Sequence, residues 1–168
     1  MPTPVSFPSD LFPGPPSVHV VLPDGWAPVV VPGTVLAAGR LPGEDEPAGP
    51  VPTVEVRVET GEPGLDVAAP LAELRGSVAQ RPGGVASDPF RASLGDLELV
   101  GTDLSWVEDG LGTVLQVHLL HVLPALVPGG PTRLVRLTGT CGGPRVREEY
   151  DALREVLSTA TVTPWAAS

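Results

Sequence analysis

The sequence predicts an α+β protein, in which a mostly antiparallel β-sheet is packed with two main helices. Short runs of Val, Leu and Thr are separated by many of the 22 prolines and 20 glycines, which is typical of short strands joined by tight loops. Two segments, about 66–81 and 145–158, instead repeat apolar residues at positions i, i+4, i+7 and i+11, the spacing of one helix face. The strands come in groups rather than alternating singly with helices, which favours an antiparallel sheet.

The domain organisation is expected to be simple, because a chain of 168 residues fits one domain. Residues 1–16 contain six prolines and predict a proline-rich N-terminal arm. We expect the arm to be ordered only where Phe7, Leu11 and Phe12 contact the body. Residues 17–168 are predicted to form the single α+β domain.

The first predicted strands flank a turn. Residues 17–22 have the composition of a strand, and Pro23-Asp24-Gly25 is a common turn sequence in which the Asp side chain caps its own backbone. We therefore interpret Asp24 as a turn residue rather than as a catalytic carboxylate. Trp26 begins the next apolar segment and is predicted to close one end of the core. Residues 33–41 form a second apolar run.

Residues 53–60, TVEVRVET, alternate between apolar and charged side chains, which is the period of a half-buried strand. The three valines of this segment share one face. Glu55, Arg57 and Glu59 share the other face, where charges of alternating sign are typical of a solvated sheet surface. These three residues are candidate interaction residues.

Both predicted helices have recognisable first turns. Asp66 is a good N-cap for the first helix, whose apolar stripe is Val67, Leu71, Leu74 and Val78. The second helix is expected to follow Gly143-Pro144, with two acids in the turn where the helix dipole favours them. Each stripe predicts that its helix covers a sheet.

Residues 90–123 are predicted to form a long hairpin that turns at Asp109-Gly110. Leu97 and Leu99, before Gly101, occupy odd positions, whereas Leu104 and Trp106 after it occupy even positions. A β-bulge near Gly101 would account for this change of phase.

Cys141 is the only cysteine, so no internal disulfide can form. It ends the predicted strand 132–141 on the inward face and precedes a Gly-Gly pair and a helix. That placement is similar to a nucleophile elbow, in which a helix N-terminus lowers the thiol pKa. A buried structural cysteine and a small enzyme using Cys141 both remain open, and the inward phase favours the first.

Composition and motifs exclude several classes of function. The formal net charge is −10, and all ten basic residues are arginines, so a nucleic-acid partner is not expected. No dinucleotide, P-loop, zinc-protease or EF-hand motif occurs, so no cofactor or metal is predicted. His118 and His121 are three residues apart on one strand, which sends them to opposite faces where they cannot chelate one metal.

No targeting signal is recognisable in the sequence. The N-terminal residues lack a basic region followed by an apolar stretch, and no run of 18 apolar residues could span a membrane. As it stands, the sequence predicts a cytoplasmic protein without a membrane span. If Met1 is not the native start, an exported lipoprotein becomes the expectation.

Three segments together resemble the PsbP-like (Mog/PsbP-type) fold. These are "LPDGW", the hairpin "LVGTDLSWVEDGLGTVLQVHLLHVL", and the closing "LVRLTGTC…EEYDALREVLSTATVTP". Within that fold the sequence is similar to the actinobacterial LpqN-type group and to the DcrB-type branch. The signal and lipobox cysteine usual in LpqN-type proteins are not found here, which puts export and lipid anchoring in doubt.

The resemblance implies a non-enzymatic binding or adaptor domain, a chaperone or accessory protein for a protein partner, and it leaves a homodimer open. It carries over no catalytic residues. One alternative is a small-ligand carrier whose cavity would be lined by Trp26 and Trp106; the other is the enzyme based on Cys141. The candidate interaction or pocket residues are Trp26, Trp106, Glu55, Arg57, Glu59 and Cys141.

Overall fold

A computed structural model describes residues 8–9, 13–44 and 50–165. Ten strands and two helices follow one another in these residues. The order is β1 (Ser17–His19), β2 (Trp26–Pro28), β3 (Leu36–Arg40), β4 (Thr53–Gly61), α1 (Ala68–Val78), β5 (Val85–Ala86), β6 (Phe90–Leu94), β7 (Leu97–Glu108), β8 (Gly112–Leu123), β9 (Thr132–Gly142), α2 (Val146–Ser158) and β10 (Thr161–Thr163). This architecture confirms the predicted α+β class.

Eight of the described strands form one sheet in the order β2-β3-β4-β9-β8-β7-β5, with β6 also paired to β7. Every neighbouring pair in it is antiparallel. The long strands β4, β9, β8 and β7 make up its centre. The two remaining strands, β1 and β10, pair separately.

The two helices cover opposite faces of the sheet. Leu153 and Leu157 of α2 pack on one face, which we call the α2 face, together with Val54 of β4 and Leu137 of β9. Leu71 of α1 packs on the other face, the α1 face, against side chains of β8 and β9. Because apolar side chains are buried on both faces, the central strands carry valine and leucine at odd as well as even positions.

The register across β7 and β8 shows that the predicted bulge near Gly101 is wrong. Pairing runs one-to-one from Val100 opposite Leu120 to Glu108 opposite Gly112. The apolar phase changes because Leu99 packs on the α2 face whereas Leu104 packs on the α1 face. The two helices, not an extra residue, produce the change. The predicted hairpin also contains an additional strand, β6, which folds back on the start of β7.

Helix ends differ slightly from the predicted ones. Helix α1 starts at Ala68 and ends at Val78, inside the predicted 66–81. The Asp66 carboxylate still accepts a hydrogen bond from the Ala68 amide at 2.7 Å, which satisfies a donor of the first turn. Helix α2 starts at Val146, one residue after the predicted start.

The segment before β1 packs on the domain next to a buried arginine. Gly14 and Pro16 are buried, and the Gly14 carbonyl accepts a hydrogen bond from Nη1 of Arg133 at 3.1 Å. The Trp165 ring lies against Gly14. Phe7, Leu11 and Phe12, on which the predicted ordering of the arm depended, lie outside the described residues.

Strand β2 is one edge of the sheet. The Val29 amide donates to the Ala37 carbonyl, and the Leu41 amide donates to the Gly25 carbonyl. By the alternation of an antiparallel ladder, the backbones of Trp26 and Pro28 therefore point away from β3. The Trp26 amide is already bonded to the Pro23 carbonyl at 3.2 Å, and Pro28 has no amide hydrogen.

Candidate functional site

Strand β4 separates its side chains as the sequence predicts. Val54 and Val56 are each 1% exposed on the α2 face, while the three charged residues lie on the α1 face. Nη2 of Arg57 is 2.9 Å from Oε2 of Glu55. Nη2 of Arg136, on neighbouring β9, is 3.5 Å from Oε2 of Glu59. Two acids and two arginines thus form a balanced row of charges.

This charged row belongs to a part of the α1 face without a helix. Helix α1 packs against β7 and β5, and its Leu71 reaches Leu120 and Leu134. In the described residues no helix covers the same face of β2, β3 and β4. We call this surface the open patch. It comprises Ala27, Val29, Val35, Glu55, Arg57, Glu59, Arg136, Thr138 and Thr140, and the buried Ala37 lies beneath it.

The open patch has a charged side, on β4 and β9, and an apolar side, at the ends of β2 and β3. Arg57 and Glu59 keep 38% and 47% of their side chains exposed. Val29, just after β2, and Val35, just before β3, are 41% and 44% exposed. Exposed apolar groups bordered by charges are typical of protein-binding surfaces.

A row of hydrogen bonds closes the patch on the side of α1. Nε2 of His118 is 3.1 Å from the amide oxygen of Gln116; an amide oxygen only accepts, so Nε2 carries the proton. The other ring nitrogen, Nδ1, then accepts from the Thr138 hydroxyl at 3.1 Å. The Gln116 amide nitrogen donates to the Thr140 hydroxyl at 3.1 Å. The direction of every bond in the row is therefore fixed.

His118 is held in its neutral form. The side chain is 5% exposed; burial, helped by the positive charge of Arg136, lowers its pKa from 6.5 to about 4. Both ring nitrogens are already bonded, so His118 braces the sheet rather than serving as a base. His121 lies on the opposite face, as predicted, with Nδ1 2.7 Å from the Glu98 carbonyl oxygen.

The two candidate tryptophans do not share a cavity. Trp26 is half-buried and packs into the core on the α2 face. Trp106 packs on the α1 face beside Val78, under the guanidinium of Arg81 at 4.2 Å from its ring centre. Because the sheet separates the two rings, they cannot line one ligand site.

Cys141 is a buried thiol, and no histidine lies beside it in the described residues. It is 1% exposed, and Sγ lies 3.5 Å from the Val146 carbonyl oxygen. Burial, with the negative charge of Glu149, raises its pKa from 9.0 to about 12. His118 lies on the other face of the sheet. His121 is on the same face as Cys141, but Cys141 pairs with Leu115, and six residues along a strand separate the two by about 20 Å. The arrangement differs from a nucleophile elbow, which needs an exposed and acidic thiol.

The described residues contain no group of three His, Cys, Asp or Glu side chains that could hold a metal ion. The same part of the chain has no helix that is both long and apolar enough to cross a membrane.

Two clusters escaped the sequence analysis. Arg40 of β3 and Glu149 of α2 form an ion pair, and the guanidinium of Arg154 makes cation–π contacts with Phe90 and Tyr150. Partners far apart in sequence leave no local pattern. Only the contact between Tyr150 and Arg154 could have been predicted, because residues spaced i, i+4 on a helix are neighbours.

Comparisons with known proteins concern the fold. No protein-family model matches the chain, and no curated protein matches it. Among solved structures, the chain is similar to the crystal structure of LpqN, involved in cell envelope biogenesis of Mycobacterium tuberculosis. The TM-score is 0.69 at 21% sequence identity, over 96% of this chain and 90% of LpqN. The predicted LpqN-type resemblance is thereby confirmed in the fold: this chain folds like LpqN.

Proposed function

We propose that this chain is a non-catalytic accessory protein that binds a partner protein through the open patch and works in the cell envelope. The observation that carries the proposal is the open patch itself, a sheet surface that no helix covers in the described residues. Most of the opposite face is occupied by α2 and the core beneath it.

The state of the candidate catalytic groups supports a binding role. The Cys141 thiol is buried with a raised pKa, and His118 uses both ring nitrogens within the sheet. A nucleophile needs an adjacent base and access to substrate. Neither residue offers that combination.

The charges of the open patch favour a protein partner. Glu55 and Glu59 are matched by Arg57 and Arg136, so the patch is neutral in a chain of net charge −10. A partner therefore meets less repulsion there than elsewhere on the surface. Nucleic acid would require a basic surface instead.

The fold likeness supports the cell envelope as the place of action. LpqN is described as involved in cell envelope biogenesis, and this chain matches its fold over nearly the whole length of both. An accessory or chaperone role for an envelope protein is consistent with that likeness.

The test is affinity capture from native envelope and cytosolic fractions, with the purified protein as bait. We expect one stoichiometric protein from the envelope fraction, retained by wild type and lost with Arg57→Glu. The matched control is Arg147→Glu, an exposed arginine on α2, which makes the same charge change elsewhere. A photo-crosslinker placed at Glu55 should attach to the captured protein directly.

Three outcomes would contradict the proposal. One is capture that Arg57→Glu and Arg147→Glu reduce equally, and another is a crosslinker at Glu55 that labels nothing. The third is a partner found in the cytosolic fraction alone, which would remove the envelope role. Sedimentation velocity of the bait alone distinguishes a second copy of the chain from a different partner.

A further inference from the structure

A narrow crevice opens between β6, β8 and the C-terminal half of α2, on the α2 face. Its walls are apolar, and its volume is about 100 Å³. The wall residues are Ala92, Leu94, Val117, Leu119 and Leu157. The half-exposed Arg154 lies at its mouth, and Ser93 and Ser158 complete the lining. The crevice lies on the opposite side of the sheet from the open patch, so it is a separate site.

The guanidinium at the mouth is held in place by aromatic rings. Arg154 lies 5.2 Å from the ring centre of Phe90 and 5.8 Å from that of Tyr150. Nη1 donates to the Tyr150 hydroxyl at 3.0 Å. Cation–π contacts of this kind restrict the motion of the guanidinium and reduce the entropy lost when it binds a ligand.

Arg154 retains hydrogen-bonding capacity for a ligand. An arginine has five N–H donors, and the Tyr150 hydroxyl takes one of them. Arg154 forms an ion pair with Asp103, whose Oδ2 is 3.8 Å from Nη1, and this separation is too long for a hydrogen bond. A planar guanidinium with free donors is suited to a carboxylate, which it can bind through two parallel bonds.

We propose that the crevice binds a short branched aliphatic carboxylate, with the alkyl group between β6 and α2 and the carboxylate on Arg154. A cavity of about 150 Å³ accommodates benzene, which has six carbons. By proportion, the observed crevice of about 100 Å³ accommodates about four carbons, the size of an isobutyl group. Isovalerate combines that group with a carboxylate and is the probe used below.

The proposal is tested by titrating the full-length protein with isovalerate at neutral pH, followed by amide and methyl NMR shifts. We expect a dissociation constant of roughly millimolar order, as suits about seven non-hydrogen atoms. Shifts should concentrate on Ser93, Ser158 and Leu157. Isovaleramide, which has the same shape but no charge, should bind at least about fivefold more weakly. Acetate, which lacks the isobutyl group, should not bind in the crevice.

Substitutions at two positions test the contribution of Arg154 and that of the apolar walls separately. Arg154→Gln should reduce isovalerate binding to the level of isovaleramide, and Arg154→Lys should restore part of the difference. Ala92→Leu should fill the crevice and abolish binding of both compounds. The control Arg147→Gln removes an exposed arginine from the same helix and should leave both affinities unchanged.

The proposal is overturned if isovalerate and isovaleramide bind equally well. It is overturned equally if Arg147→Gln weakens binding as much as Arg154→Gln, or if no crevice resonance shifts up to about 50 mM ligand, a bound set by the expected millimolar affinity. Because Arg154 is half exposed, Arg154→Gln tests the site even if Ala92→Leu disturbs folding.

Discussion

The Thr138 hydroxyl donates to Nδ1 of His118 across the β8–β9 pair at 3.1 Å. That bond requires an unprotonated nitrogen, so acid breaks it. The pKa of His118 in the folded chain is about 4, against 6.5 as its ordinary value. Between these values the unfolded chain binds more protons than the folded one, so stability rises with pH through this window and falls as the pH drops below 6.5.

Acidification should therefore destabilise the protein through His118. From pH 7.5 to pH 5 we expect His118 to account for a loss of about 2 kcal/mol in the free energy of unfolding, at 1.36 kcal/mol per pKa unit. Urea unfolding of wild type and His118→Gln at several pH values measures this contribution. Other groups titrate in both proteins, so the difference between the two pH dependences belongs to His118. Equal pH slopes in the two proteins would show that His118 is not held neutral.

The Arg40–Glu149 pair should contribute to the attachment of α2. Nη2 of Arg40 lies 3.1 Å from Oε1 of Glu149, and the Glu149 side chain is 9% exposed. Arg40→Met removes a positive charge that stabilises the buried carboxylate. We expect the free energy of unfolding to fall by about 2 kcal/mol, which is less than for a fully buried pair because Arg40 is partly solvated. Arg147→Met, on the exposed side of α2, should change stability by less than about 0.5 kcal/mol. Urea unfolding compares the two, and equal losses would refute a specific role for the pair.

Cys141 should be inert in the folded protein. Because its pKa is about 12 and its side chain is buried, a thiol reagent at pH 8 should label none of it over minutes. In urea the reagent should label one thiol per chain. Rapid labelling without urea would revive the hypothesis of an enzyme that uses Cys141.

Two glycines should respond to alanine in opposite ways. Gly76 lies in α1 with open space where a Cβ would stand, so Gly76→Ala should stabilise the protein by about 0.5–1 kcal/mol. A Cβ at Gly84 would collide with the backbone carbonyl of Val78, so Gly84→Ala should cost about 2 kcal/mol or more. Thermal unfolding of both variants checks the signs, and a stabilising Gly84→Ala would contradict the described chain path after α1.

Sequence reasoning predicted the orientation of side chains within a strand better than the neighbours of that strand. The alternation of residues 53–60 was enough to place Glu55, Arg57 and Glu59 on one face, because a strand has a side-chain period of two. It could not show that β9, more than seventy residues later, lies beside β4. Such pairing depends on the whole core rather than on local sequence.

The helices illustrate the same limit. An amphipathic stripe shows that a helix covers something, but not which face of the sheet it covers. Without that information, the change of apolar phase at Gly101 predicts a β-bulge. With α1 and α2 on opposite faces, Leu99 and Leu104 are each buried without one. The solvated face of residues 53–60 was predicted, but its continuation over β2, β3 and β9 as the open patch was not, since that depends on α1 lying to one side of β4.

The edge strand β2 has a consequence for behaviour in concentrated solution. Another chain that tried to extend the sheet there would find the Trp26 amide occupied and no donor at Pro28. Edge-to-edge growth of the kind that leads to fibrils would lack those hydrogen bonds from the start. We therefore expect that, even at high concentration, copies of the chain do not polymerise by adding strands at β2.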